Sequence, residues 1–199
     1  MLKRIIMSVL VGAAALPVAA NEFEIDSVHS SVGFAVDHMV VSTVRGSFGG
    51  FGGTISLDSE DLTKSSVEVK IDAASIDTAN EQRDEHLRSA DFFDAENHPE
   101  ITFKSGSIKK DGDRYVAVGN LTIRGNTRLV ELPFTVKGPI DDPWGNRRIG
   151  VQIEPITIDR KEFGLMWSKA LETGGLVVGD EVTIELAVAA VSPKDESGS

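Results

Sequence analysis

The sequence predicts an all-β protein of about eight to ten strands, a barrel or sandwich, with one α-helix inserted. Three observations predict it. Apolar residues recur with a period of two along most of the chain. Short turns rich in Gly, Pro, Asn and Asp separate these runs. One stretch alone, Ser75 to Phe103, reads as helix, with strand-like text on both sides. There is no βα alternation, internal repeat or domain linker, which argues against a βαβ architecture.

Phe23 and Ile25 alternate with acids as a weak first strand. Val32, Phe34 and Val36 alternate with Gly33, Ala35 and Asp37, and His38 to Val41 breaks the alternation. Arg45 to Gly53 carries five glycines and looks like a phosphate loop. No helix or Lys-Ser/Thr pair follows, however, so bulges and bends in a curved sheet explain it better. Ile55 and Leu57 continue as strand, and Val67, Val69 and Ile71 alternate cleanly with Glu68, Lys70 and Asp72.

The helix comes next, at about residues 80–90. Thr78 and Glu81 have capping-box spacing, and Asn80 to Ser89 contains no Gly, Pro or β-branched residue. Its apolar stripe is thin, with Leu87 and Ala90 beside the Arg83 stem, so it must lie on something. Either it plugs one end of the β-structure with Phe92 and Phe93 as core, or it lids an apolar pocket.

Pro99 helps to stop the helix, and Ile101 and Phe103 restart the strand pattern. Lys109 to Asp113 is a turn containing Asp-Gly. Val116 and Val118, then Leu121 and Ile123, form a strand whose phase slips at Gly119-Asn120, which predicts a bulge there. Gly125 to Thr127 turns the chain, and Val130, Leu132, Phe134 and Val136 return in one phase. Pro133 points the other way, which predicts an edge or a bulge. Pro143 to Gly145 is a further turn. Ile149, Val151 and Ile153 follow, then Ile156 and Ile158; Asp159 to Val178 is irregular; Val182, Ile184, Leu186 and Val188 close the pattern.

At the N-terminus, Lys3 and Arg4 precede an apolar run from Ile5 to Leu16 and the small residues up to Ala20. This reads as a secretory signal peptide, residues 1–20, cut after Ala20. The run is short for a transmembrane helix, and no cysteine stands at the cut to carry a lipid anchor. A single domain over 21–191 and a flexible polar tail over 192–199 are expected. The chain has no cysteine, so stability rests on packing and hydrogen bonds although an exported compartment would permit disulfides. The net charge of −11 argues against nucleic acid and against tight docking on an anionic membrane.

Catalytic signatures are sparse. There is no cysteine nucleophile and no Gly-x-Ser-x-Gly elbow. His29, His38, His86 and His98 lack the spacing of a helical zinc site, and no calcium loop is present, so no metal is expected. Asp84, Glu85, Asp91 and Asp94 are explained by capping, solvation and pairing with Arg83 and Arg88. No catalytic residue is assigned. A barrel closed on its apolar faces either fills itself with side chains or holds one slender apolar ligand.

Eight segments carry a resemblance. They are Asp26-Ser-Val-His-Ser-Ser-Val32, Phe34-x-Val-x-His38, Val44-Arg-Gly-x-Phe48, Ser75-Ile-Asp-Thr78, Arg83-Asp-x-His-Leu-Arg-Ser-Ala-Asp-Phe-Phe93, Pro99-x-Ile-x-Phe103, Gly119-x-Leu-Thr-Ile123 and Arg160-x-x-Phe-Gly164. Together the chain resembles the YceI-like polyisoprenoid-binding family over nearly all of its length after the leader. The resemblance implies a lipocalin-like, extended antiparallel β-barrel of about eight strands with a helix. It implies a long isoprenoid, quinone-like or other amphiphilic lipid in the pore, with no other cofactor and no catalysis. It implies a periplasmic or secreted location, no stable membrane insertion after leader cleavage, and allows a homodimer. On that basis the expected pore lining is Phe34, Val36, Val69, Ile71, Phe103, Leu121, Ile123, Phe134, Val151, Ile153 and Ile184. The residues expected at the lipid head group or lid are Arg83, Asp84, His86, Phe92, Phe93 and Arg160, although they equally suit a polar network bracing the helix. Two rival functions are an enzyme acting on an isoprenoid or quinone lipid, with His86 and Asp84 as acid–base pair, and a filled barrel serving as a stress-response or interaction module.

Overall fold

The computed structural model describes residues 21–172 and 174–192, and within them twelve strands join one antiparallel sheet. In chain order they are β1 (Asn21–Ile25), β2 (Ser31–His38), β3 (Ser42–Phe48), β4 (Phe51–Leu57), β5 (Ser66–Asp72) and β6 (Ile76–Asp77). Helix α1 (Glu81–Arg88) follows, then β7 (Glu100–Asp111), β8 (Arg114–Ile123), β9 (Asn126–Asp141), β10 (Arg147–Ile153), β11 (Ile156–Asp159) and β12 (Val178–Ser192). The expected leader, residues 1–20, lies outside the described residues, as do residues 193–199 of the expected tail. Ser192 is still strand.

Several strands are halves of one interrupted strand. β1 and β2 lie along the same side of β12, Gly49-Gly50 separates β3 from β4, and a 3-10 turn at Ala73–Ser75 separates β5 from β6. β10 and β11 likewise share the other side of β12. The result is eight strands in up-and-down order, and β12 closes the sheet by pairing with β10 and β11 on one side and β1 and β2 on the other. Of the two all-β architectures, the chain forms the closed barrel, which leaves few unpaired edges.

Two points of local register differ from the sequence reading. In β8 the inward residues are Tyr115, Ala117, Gly119, Leu121 and Ile123, all in one phase, so no bulge sits at Gly119-Asn120. The extra residue is Gly106 on the partner: Ser105 pairs with Gly119 and Ser107 with Val118. Gly119 is glycine because the Lys104 carbonyl and the Phe103 ring crowd it; a Cβ there would lie 2.5 Å from that oxygen and 2.7 Å from Cζ of the ring. At Pro133 the ladder between β9 and β10 ends: Ile153 stands opposite Phe134, and the last bond runs from the Glu154 amide to the Pro133 carbonyl at 2.8 Å, so the proline, with no amide to give, stands where β9 becomes an edge. The register shift between β9 and β10 falls at Gly138-Pro139.

α1 is the one α-helix among the described residues, and it is capped by Asn80, whose side chain accepts the Arg83 amide at 3.0 Å. The capping box expected from Thr78 and Glu81 does not form, because the Thr78 hydroxyl is engaged by Asp84. No helix among the described residues is long and apolar enough to cross a membrane.

Inward side chains of the sheet build one large apolar cluster. A second cluster of Phe23, Ile55, Leu57, Ile149 and Ala190 seals the end of the barrel away from the helix. The opposite end, where α1, the β2–β3 turn and the 164–177 loop meet, is the end that matters for function.

Candidate functional site

The barrel interior is not filled. A cavity of about 250 Å³ runs through it, walled by aliphatic and aromatic side chains. Phe34 and Val36 of β2, Val69 and Ile71 of β5, and Phe103 of β7 line it. So do Leu121 and Ile123 of β8, Phe134 of β9, Val151 and Ile153 of β10, and Ile184 of β12. Alternation explains this: on a closed barrel every second side chain of each strand points in. The same phase carries Val67, Ile101, Leu132, Val136 and Leu186 into the wall. These were legible from the same alternation as their named neighbours. Phe48 and Phe51 also line the cavity but sit in the glycine-rich stretch, where no regular period announces them.

The helix segment lids this cavity. Leu87, Phe92 and Phe93 reach its wall, and Phe93 meets Phe48 edge-on with ring centroids 5.7 Å apart. Phe48 in turn touches Phe34 at 5.9 Å.

Beside the lid lies a second space of about 390 Å³. It shares Phe34, Val36, Leu87, Phe92 and Val178 with the main cavity, so it is the vestibule of the pore. Its remaining wall is mixed: Asp37, His38, Thr78, Asn80, Gln82, Arg83 and His86 bring polar groups, and Trp167 brings a ring. An apolar interior thus adjoins a polar collar, the arrangement that suits an amphiphile.

Most of the expected polar groups are already engaged within the protein. Asp84 is 3 % exposed and accepts both the Thr78 amide, at 3.0 Å, and the Thr78 hydroxyl, at 2.5 Å. Arg83 donates from Nε to the Thr78 hydroxyl at 2.7 Å and from NH2 to the Thr78 carbonyl at 2.8 Å. These two side chains tie the helix to the end of β6. Asp84 reaches neither the cavity nor the vestibule, whereas Arg83 lines the vestibule. His86 pairs with Asp91 at 2.9 Å and stacks edge-on against Phe92 and Trp167, with centroids 5.1 and 4.9 Å away. The structure therefore does not bring His86 and Asp84 together as an acid–base pair.

Arg160, 4 % exposed, stands in the 3-10 turn at Arg160–Phe163 and touches the cavity wall. Its guanidinium donates to the carbonyls of Leu165, Gly179 (2.8 Å) and Val178 and to Asp180 at 3.1 Å. Burial pushes its pKa down, opposed by the charges of Asp180 and Asp159, yet a guanidinium stays protonated at any physiological pH. It pins the irregular 164–177 loop to the first residues of β12. No buried side-chain nitrogen or oxygen among the described residues lacks a partner. Among them, too, no group of three or more His, Asp or Glu is placed to hold a metal.

Comparison with known proteins agrees with this architecture. A UPF0312 protein of Pectobacterium atrosepticum is 40% identical over 159 residues, covering 80% of this chain and 82% of its own. Protein YceI of Escherichia coli O157:H7 is 37% identical over 158 residues, covering 79% and 82%. Among solved structures, BcnA of Burkholderia cenocepacia superposes with a TM-score of 0.71 at 26% identity, covering 83% of this chain and 98% of its own. A polyisoprenoid binding domain from Saccharophagus degradans matches with a TM-score of 0.67, covering 87% and 99%, but at 16% identity it speaks for the fold alone. The model of the YceI-like domain matches residues 23–190, and the chain belongs to the YceI-like family.

Proposed function

We propose that this protein binds one long-chain isoprenoid, quinone-like or other amphiphilic lipid in its barrel, for carriage, storage or sequestration, without catalysis or a further cofactor. The observation that carries the reading is the unfilled apolar cavity with a polar vestibule beside it, the two sharing Phe34, Val36, Leu87, Phe92 and Val178. An apolar cavity of about 150 Å³ already holds a benzene-sized molecule, so the space here is ample for a segment of lipid chain. Each buried methylene contributes roughly 0.8 kcal/mol. About ten of them give roughly 8 kcal/mol, near micromolar affinity before association costs. Affinity then comes from the tail, and selectivity from the collar of Arg83, His86, Gln82 and Asn80. The leader-like N-terminus supports export to the periplasm as the place where it acts. The binding of polyisoprenoid by the Saccharophagus degradans domain supports the ligand class only through the shared barrel.

The test is to purify the protein from the exported fraction without detergent and extract it with organic solvent for mass spectrometry. One stoichiometric isoprenoid or acyl species is the expected result. Lipid-free protein that also refuses added prenyl quinone would overturn the reading.

A further inference from the structure

The rim of the vestibule carries an apolar surface that the interior does not use. The β2–β3 turn is Met39-Val40-Val41; Val40 is 70% exposed and Val41 86%, and Met39 is exposed too. Met39 and Val40 both have left-handed backbone, with φ of 53° and 66°. For a β-branched residue this is a strained conformation, so a strained turn presents side chains to solvent that water does not favour. The turn leans on the 164–177 loop: the Met39 amide donates to the Val177 carbonyl at 2.9 Å, and Gly175 packs so close that a Cβ there would stand 2.7 Å from Cγ2 of Val40. Met166 of that loop is exposed as well.

The charge of this surface is as informative as its polarity. Residues 38–44 contain no Asp, Glu, Lys or Arg, and residues 164–178 contain only Lys169 and Glu172, which cancel. The chain as a whole carries −11. A neutral apolar rim on an acidic protein has no electrostatic attraction to anionic headgroups, and its fit is to an uncharged, zwitterionic surface. The rim is continuous with the pore, since His38, Val177 and Val178 belong to the vestibule wall.

We infer that the Met39–Val41 turn and the adjoining loop segments 164–172 and 174–177 form a docking surface for a zwitterionic lipid bilayer, which places the vestibule against the membrane for exchange of cargo. This rests on the proposed lipid binding, because a cargo soluble only in lipid must be met where lipid is. The highly charged helix α1 borders the other side of the vestibule, so the protein sits tilted, with the two apolar loops down and the helix toward water.

The experiment is flotation of the purified protein with pure phosphatidylcholine vesicles, followed by uptake of an octaprenyl quinone from the same vesicles. The parent protein is expected to float with the vesicles, and addition of phosphatidylglycerol should not strengthen the association. Val40→Asp and Val41→Asp should each lower the vesicle partition constant at least roughly tenfold, as expected for withdrawing one buried aliphatic side chain. They should slow quinone uptake while leaving the final amount bound unchanged. Trp144→Asp is the control: Trp144 is 80% exposed but lies on the β9–β10 turn at the sealed end. Thermal melts of all three variants identify any that fail to fold, and Val41→Ser then replaces Val41→Asp. Absence of flotation by the parent protein would overturn the inference. So would loss of flotation in Trp144→Asp alone, or binding only to native membranes in a protease-sensitive manner, which would mean a protein acceptor. Flotation without quinone uptake, by protein that extraction shows to be lipid-free, would leave the docking surface standing and overturn the lipid-binding reading instead.

Discussion

Phe34 and Gly46 stand directly opposite one another on β2 and β3, and the phenyl ring lies over the glycine. A Cβ on Gly46 would be 2.7 Å from Cε1 of the ring and 2.8 Å from Cγ2 of Thr78. Phe34 lines both cavity and vestibule, so the glycine fixes the position of a ring at the junction of the two spaces. Gly46→Ala is expected to destabilise by about 1–3 kcal/mol, the usual cost of forcing a methyl into a packed site. Phe34→Leu in the same chain should recover most of the loss. Urea unfolding of the single and double variants measures it, and strictly additive effects would show that the two positions do not compete for space.

The second relationship is polar. Thr78 gives its amide and hydroxyl to Asp84 and receives Arg83 on the same hydroxyl. Asp84→Ala strands a buried amide and a buried hydroxyl, which should cost about 2–3 kcal/mol. In a double-mutant cycle with Thr78→Val the losses should fall well short of additive. Lipid carried per folded molecule should not change, since Asp84 does not reach the cavity. A variant of unchanged stability that lost its lipid would return Asp84 to the head-group site.

The barrel strands were legible because a half-buried strand writes its inner face into every second residue. Val67, Val69 and Ile71 or Val182, Ile184 and Leu186 leave little room for another reading. Closure came from the family resemblance and not from periodicity: it depends on β1 and β2 meeting β12 across nearly the whole chain, and periodicity does not report partners. The bulge was assigned to the wrong strand for a similar reason. Val116 and Val118 are apolar but stand in the opposite phase from the cavity-lining residues, Val118 buried all the same, and Gly106, between two serines, carries no hydrophobic mark. Arg83 and Arg160 show the limit at the site itself. An arginine that grips backbone carbonyls looks the same in sequence as one that grips a ligand. The helix cap moved from Thr78 to Asn80 because Thr78 had a buried partner six residues away.

Cavity volume gives a direct test of where the cargo sits. Val151 faces the interior from β10, a strand paired on both sides. Val151→Trp should fold, because the added volume enters open space instead of a packed core, with a stability change within about 1.5 kcal/mol. It should reduce the lipid recovered per protein by more than half, as quantified by extraction and mass spectrometry. The outward-facing Gln152→Trp is the matched control. Unchanged lipid in Val151→Trp would move the ligand out of the barrel and into the vestibule.

At the end of the barrel away from the helix, one arginine holds two carboxylates. Arg148 bridges Asp26 and Asp142, donating at 2.7 Å to each. The Arg148 guanidinium, then His29, holds the Asp26 pKa at about 2. For Asp142, burial pushes upward, but Arg148 and the amides of Asn146 and Trp144 outweigh it and bring the pKa to about 2. Both folded-state values lie below the ordinary 3.8. The folded protein therefore binds these protons less readily than the unfolded chain. The stabilisation is complete well above pH 4 and is lost as the pH falls from there to about 2. The melting temperature should drop across that window. Arg148→Met should melt lower at pH 7 and show a shallower decline between pH 4 and 2, because its two carboxyls return toward ordinary values. Melts at intervals from pH 7 to pH 2 check this. Parallel declines in the parent and in Arg148→Met would locate the acid sensitivity elsewhere, among the exposed carboxylates that give the chain its net charge.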